Sequence, residues 1–172
     1  KKEDKFGVRG VPSSELTFDD CEIPKENLLG REGMGVVQMM AMGIPNVLTT
    51  AAISVGIARA ALEATLKYAK QRQAFDQTIG NLEAVQFMIG DMLTSIDAAR
   101  LLLYRAANTA DKGQSNPIEA FTAKIFSAEM AIRVTNNAMQ IFGGYGYTKE
   151  YPLERYLSLI HISEPHETVL DL

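Results

Sequence analysis

The chain has 172 residues, 47% hydrophobic and 22% charged, with a net charge of −4. That length fits one domain with a short appendage and buries a core without staples, while the negative balance, with no basic cluster, argues against nucleic acid as a partner. Cys21 has no second cysteine to pair with, which excludes an internal disulfide and favours a reducing compartment, the cytoplasm or a mitochondrial matrix.

Residues 1–30 read as the end of a β-rich unit, too short to stand alone. Glu15-Leu16-Thr17-Phe18 alternates polar and apolar as a half-buried strand does. Asp19-Asp20 follows as a turn and Ile23-Pro24 as an extended pair. The opening Lys1-Lys2-Glu3 is not a natural start, so the chain is expected to be the later part of a longer one.

From about residue 34 the pattern turns helical. A first stretch, to about Phe75, is rich in small residues such as Ala51, Gly56, Ala58 and Ala61. Gly43 and Pro45 interrupt it. Proline inside a helix removes a hydrogen bond and clashes with the preceding turn, so a kink or restart is expected there, with residues 46–72 as the solid part. No unbroken run of about 18 apolar residues occurs, so no membrane span is expected.

The second helix carries one apolar stripe at 3,4 spacing: Leu82, Val85, Ile89, Met92, Ile96, Ala99, Leu103 and Ala106. That is roughly 36 Å of helix. The third repeats the pattern with Ile118, Phe121, Ile125, Ala128, Ile132, Thr135, Met139 and Phe142. Its start is written as Asn116 at the N-cap, Pro117 at the first helical position and Glu119 closing a capping box. The short connection Lys112-Gly113-Gln114-Ser115 makes these helices antiparallel neighbours. The expected fold is therefore all-α, an up-down four-helix-bundle type with a short β remnant at the N-terminus.

Three features carry candidate chemistry. Gln140-Ile141-Phe142-Gly143-Gly144-Tyr145-Gly146-Tyr147 ends the third helix. Its glycines would let backbone N–H groups approach a phosphate or ribose, or would simply cap the helix. Gln71-Arg72-Gln73-Ala74-Phe75 places an arginine that suits a pyrophosphate, or one that answers a helix C-terminal dipole. His161 and His166 with Glu164 and Glu167 lie in an irregular terminal segment and are read as exposed rather than metal-ligating.

These stretches together resemble the acyl-CoA dehydrogenase family, over about Lys5 to Leu157. The run from Glu15 to Cys21, then Ile23-Pro24-Lys25-Glu26-Asn27-Leu28-Leu29-Gly30, is similar to that family's exit from its β-domain. Tyr68 to Phe75 is similar to its arginine–phenylalanine motif. Gln140 to Tyr147, followed by Glu150-Tyr151-Pro152-Leu153-Glu154-Arg155-Tyr156, is similar to its second signature. The resemblance divides the chain into a β-domain remnant (1–30), a helical C-terminal domain (31–157) and a tail (158–172). The tail leaves the family pattern abruptly and is expected to be foreign to the domain.

What the resemblance implies is specific. Members oxidise the Cα–Cβ bond of an acyl-CoA to the trans-2-enoyl-CoA. A glutamate takes the α proton, FAD takes the β hydride, and an electron-transferring flavoprotein receives the electrons. Arg72 and Phe75 are implied to reach the FAD of a neighbouring subunit, with Gln86 retained on the second helix. Gln140, Gly143 and Gly144 are implied to contact its adenosine half, in a homodimer or homotetramer. There are departures. Glu83 stands where the family usually has glutamine, and Asp76 where glycine is usual. Asn46 occupies the place where some subfamilies carry the catalytic glutamate, and an amide cannot serve as base. Elsewhere the glutamate lies beyond the Glu154-Arg155-Tyr156 motif, in a segment absent here, so the chain alone is expected to be inactive. A reductase or oxidase of the same fold, or a helical interaction module without cofactor, are the alternatives.

Overall fold

The computed structural model describes residues 2–5, 10–114 and 116–163. Three long helices carry the fold: α1 (Gly35–Gln71), α2 (Glu83–Asp111) and α3 (Pro117–Phe142). A shorter α4 (Leu153–Ser163) closes the ends of α1 and α3. The all-α bundle is thus present. Helix α4 runs past Leu157, beyond which the tail is expected to begin. Of the two histidines, His161 falls on α4, whereas His166, Glu164 and Glu167 lie outside the described residues. Among the described residues, no group of three or more His, Cys, Asp or Glu side chains is placed to hold a metal.

The stripe on α2 packs as its spacing predicts. Met92, Ile96, Ala99, Leu103 and Ala106 are buried, while Leu82, Val85 and Ile89 lie half-buried against the core. Each fully buried side chain of isoleucine or methionine size contributes about 1.5–3 kcal/mol.

The stripe expected on α3 is only half right. Ala128, Thr135 and Phe142 are buried. Ile118, Phe121 and Ile125, however, are exposed, at 76%, 47% and 43%. The first half of α3 turns small residues inward instead: Ala120, Ala123, Ser127 and Ala131. α1 does the same with Ala51, Ser54, Ala58, Ala61, Thr65 and Ala69, all at 2% exposure or less. Since α1 packs chiefly on α3, small side chains on both allow close approach, and the larger apolar side chains of α3 are left facing outward. The buried hydroxyls of this zone are largely satisfied within their own helices. Thr65 donates to the Ala61 carbonyl and Thr135 to the Ala131 carbonyl, each at 2.8 Å.

Pro45 does not make the helix restart: α1 runs as one helix from Gly35 to Gln71 with the proline inside it. Thr49 and Thr50 donate their hydroxyls to the Pro45 and Asn46 carbonyls, supporting the turn after the proline. By length and composition alone, α1 is apolar enough to cross a bilayer. Its hydropathy is carried by Val, Ile, Leu, Met and Ala residues that Gln38, Asn46, Thr49 and Thr50 interrupt, so no unbroken apolar run occurs. At the start of α3, Asn116 caps as expected, its Oδ1 accepting from the Ile118 N–H at 3.0 Å. Glu119 closes no capping box. One of its carboxylate oxygens lies 3.9 Å from Arg105 of α2 and the other is buried without a partner.

At the N-terminus, the strand expected at Glu15–Phe18 is absent, with Leu16 and Phe18 exposed. Among the described residues the β remnant is one antiparallel bridge, Lys2 with Ser14, beside a 2.9 Å bond from the Glu3 N–H to the Ser13 carbonyl. Alternation buries a strand only when a sheet lies beneath it. Ordered pairing lies elsewhere, between α1 and α2. There β1 (Gln73–Ala74) and β2 (Gln77–Thr78) pair antiparallel, Gln73 opposite Thr78 and Ala74 opposite Gln77.

Candidate functional site: a groove where the ends of two helices meet

α1 ends at Gln71, not at Phe75, because the chain turns at once into this hairpin. Its two-residue loop is Phe75 and Asp76, at φ 53° and 60°. Positive φ at both central residues is the type I′ turn whose twist matches that of the strands. The turn throws Phe75 outward, 83% exposed at the tip.

The backbone of Arg72 is pinned at this junction. Its N–H donates to the Tyr68 carbonyl, closing α1, and its carbonyl accepts from the Ile79 N–H, both at 2.9 Å. At the end of α3, Gly143 adopts φ 57° and its N–H donates to the Gln140 and Met139 carbonyls. That N–H is therefore committed to capping α3, as the plainer reading of the glycines has it. The following turn runs Gly143–Tyr147 as a 3-10 helix. Within it Gly146 is closely packed, since a Cβ there would sit 3.1 Å from the Met139 carbonyl oxygen and 3.2 Å from the Phe142 Cβ, tighter than most such contacts. Gly143 and Gly144 differ, because nothing lies within 4 Å of where their Cβ atoms would be. Their backbone faces open space that a ligand can approach.

The two helix ends meet in a groove of about 480 Å³. One wall is Tyr68, Arg72 and Ile79, from the α1 side. The other is Ile141, Phe142, Gly143 and Gly144, with Tyr145 and Thr148 at the rim. Aromatic packing fixes this corner. Tyr68 stacks on Phe142 with centroids 4.0 Å apart, and Tyr151 meets Phe142 edge-on at 5.0 Å. Burial raises the pKa of the Tyr68 phenol, partly offset by the Arg72 guanidinium nearby. No carboxylate lines the groove, and the Arg72 side chain takes part in none of the ion pairs among the described residues. A cation without an anion, beside unshielded glycine backbone and apolar rings, suits a ligand that carries a diphosphate and a flat ring system.

Of the residues singled out in the sequence, the groove gathers Arg72, Gly143 and Gly144. Phe75, Gln86 and Gln140 do not line it. Gln86 instead donates its Nε2 to the Gly80 carbonyl at 3.0 Å, tying α2 to the turn before it. Gln140 is exposed on the last turns of α3. Glu83 falls in the first turn of α2, whose N-cap Leu82 offers no side-chain bond. A carboxylate there answers the helix dipole, a structural reason for its charge. Asn46 lies on exposed α1 surface, away from the groove. Tyr68, Tyr145 and Thr148 were not singled out. The sequence signal for the two tyrosines is their place within the two motifs, Tyr68 opening the first and Tyr145 inside the second.

Comparison with known proteins identifies the family and the fold. The family model described as acyl-CoA dehydrogenase, C-terminal domain, matches residues 33–164. Cyclohex-1-ene-1-carbonyl-CoA dehydrogenase of Syntrophus aciditrophicus (strain SB) is 42% identical over 156 residues, 90% of this chain and 38% of that protein. Butyryl-CoA dehydrogenase from Megasphaera elsdenii superposes with a TM-score of 0.93 at 40% identity, over 97% of this chain and 44% of that one. A chain in a structure of the electron transferring flavoprotein of Acidaminococcus fermentans, a study of flavin-based electron bifurcation, superposes with a TM-score of 0.93 at 46% identity, over 97% and 44%. The chain spans less than half the length of each of these relatives. With the family model covering most of its length and relatives aligned over nine-tenths of it or more, the chain belongs to the acyl-CoA dehydrogenase family.

Proposed function

We propose that this chain supplies the helical, flavin-contacting domain of an acyl-CoA dehydrogenase, which oxidises an acyl-CoA thioester to its trans-2-enoyl-CoA. The observation that carries this reading is the meeting of Arg72 with Gly143 and Gly144 in one groove that no carboxylate lines. These residues fit FAD. The Arg72 fork matches a diphosphate, the open glycine backbone admits an adenosine ribose, and Tyr68 and Phe142 give an apolar wall. When bound, FAD supplies the hydride acceptor. This chain's residues bind and orient.

Phe75 and Gln140 lie outside the groove and are exposed. They suit further contact with the same FAD, which the resemblance implies is held by a neighbouring subunit, and Gln86 supports them by anchoring the turn below the hairpin. The outward Ile118, Phe121 and Ile125 of α3, with Phe87, Leu101 and Tyr104 of α2, give an apolar surface suited to a homodimer or homotetramer. An electron-transferring flavoprotein is the proposed electron acceptor of the complete enzyme. The general base is proposed to lie outside this sequence, since Asn46 has no basic function. The chain by itself is then inactive toward acyl-CoA even when FAD is added.

Titration of the isotopically labelled chain with FAD and with riboflavin tests the reading. FAD should shift the amide resonances of Gly143 and Gly144, and riboflavin, which lacks diphosphate and adenosine, should not. Equal shifts from both, or none from FAD, would refute it.

A further inference from the structure

Among the described residues, the groove's one cation is held by a ring rather than by an acid. The guanidinium carbon of Arg72 lies over the ring of Tyr145, 5.2 Å from its centroid, within the range of a cation–π contact. Both partners are fixed behind this contact. The Arg72 backbone is tied on one side to Tyr68 and on the other to Ile79. The Tyr145 carbonyl accepts from the Thr148 hydroxyl at 2.8 Å and from its N–H at 3.2 Å. The Tyr145 ring in turn meets Tyr151 edge-on, with centroids 6.1 Å apart and planes at 85°. Tyr151 is braced against Phe142 and Tyr68. A chain of rings thus runs from the bundle core to the one cation at the groove.

We propose that Tyr145 is a positioning residue, whose ring holds the Arg72 guanidinium at the groove in the orientation that meets a diphosphate. The physical case rests on what the alternatives would do. A carboxylate partner would fix the arginine as well, but would occupy the donor fork and place a negative charge beside the phosphates. Solvent alone would leave a long side chain free, and ligand binding would then have to order it, at a cost in affinity. The face of an aromatic ring attracts the cation while leaving its N–H edge free for the ligand's oxygens. The proposal rests on the reading of the groove as a diphosphate site.

The test uses the 172-residue chain with adenosine diphosphate as probe and adenosine as control. The variants are Tyr145→Phe, Tyr145→Leu, Arg72→Ala and the double variant Arg72→Ala/Tyr145→Leu, each checked by circular dichroism for the wild-type fold. In the unliganded wild type, the Arg72 side-chain protons should be shifted upfield by the ring. The shift should persist in Tyr145→Phe and vanish in Tyr145→Leu. Tyr145→Leu should bind the diphosphate about two- to fivefold more weakly, with adenosine binding unchanged, and Tyr145→Phe should bind like wild type. In the Arg72→Ala background the leucine substitution should have no further effect. Absence of the upfield shift in the wild type overturns the proposal whether or not any variant folds. So does a loss in Tyr145→Leu that persists without Arg72. If Arg72→Ala weakens diphosphate binding and Tyr145→Leu does not, the positioning role alone fails. If diphosphate does not bind, or binds independently of Arg72, the reading of the groove fails and the positioning role with it.

Discussion

Tyr68, in the last turns of α1, stacks on Phe142, the last residue of α3, with ring centroids 4.0 Å apart and planes at 15°. The contact locks together the two helix ends that form the groove, and it takes the Tyr68 phenol out of water. Burial raises its pKa above the ordinary 10.0, against the opposing effect of Arg72. The folded chain therefore holds the phenolic proton more tightly than the unfolded chain does. The stability this contributes is fully present below the ordinary pKa and is lost as pH climbs through the raised folded value. Melting temperature followed upward from pH 9 should fall more steeply in wild type than in Tyr68→Phe. Parallel curves would remove Tyr68 from the account.

The hairpin tip is strained where the family usually carries glycine. Asp76 sits at φ 60°, a conformation that costs a non-glycine residue on the order of 1 kcal/mol. Asp76→Gly should stabilise the chain by about 0.5–1 kcal/mol, less whatever glycine adds to the entropy of the unfolded state. Denaturant unfolding of the two proteins measures it, and a destabilised variant would mean that Asp76 makes a contact worth more than the strain.

Ser127 is buried in α3 and its hydroxyl has no hydrogen-bond partner among the described residues. Such a group costs about 1–3 kcal/mol, and alanine fills nearly the same space. Ser127→Ala should raise the midpoint of denaturant unfolding without changing its slope. A lowered midpoint would show that the hydroxyl is satisfied in solution.

The outward face of α3 leads to a prediction about assembly. Phe121 and Ile125 are at 47% and 43% exposure with no described element over them. Sedimentation should find the chain self-associated, and Phe121→Glu should shift it towards monomer. A wild type that is monomeric at every concentration contradicts the oligomer proposal.

The sequence is most legible where one physical signal acts alone. On α2 the apolar residues of the stripe are the residues that pack, so spacing identifies the core from Met92 to Ala106. At the start of α3, Asn116 and Pro117 are local signals and hold locally. On α3 itself two apolar faces compete. The face of larger residues, Ile118 to Ile125, catches the eye, whereas Ala120, Ala123 and Ser127 are buried because their small size lets α1 approach. The hairpin was invisible because Phe75-Asp76 lacks the Asn-Gly or Asp-Gly signature of a type I′ turn. For the site, the two motifs were visible separately, but their convergence depends on where α1 and α3 stop. The contact of Arg72 with Tyr145 belongs to tertiary structure and has no trace in spacing. The short helix α4 continues across Leu157, and the family model's match runs on to residue 164, so the boundary expected at Leu157 is not the end of the helix; amphipathic helix formation needs only periodic burial, with Leu153 as its anchor.

The central claim is that Arg72 holds the diphosphate of FAD in the groove between the ends of α1 and α3. Its most direct test is the dissociation constant of FAD, measured by calorimetry for the wild-type chain and for Arg72→Ala. A charge-assisted hydrogen-bond pair is worth about 1.5–3 kcal/mol, so the variant should bind roughly 10- to 100-fold more weakly, while its riboflavin affinity stays unchanged. Equal FAD affinity in the two proteins, with the fold of both intact, would contradict the account.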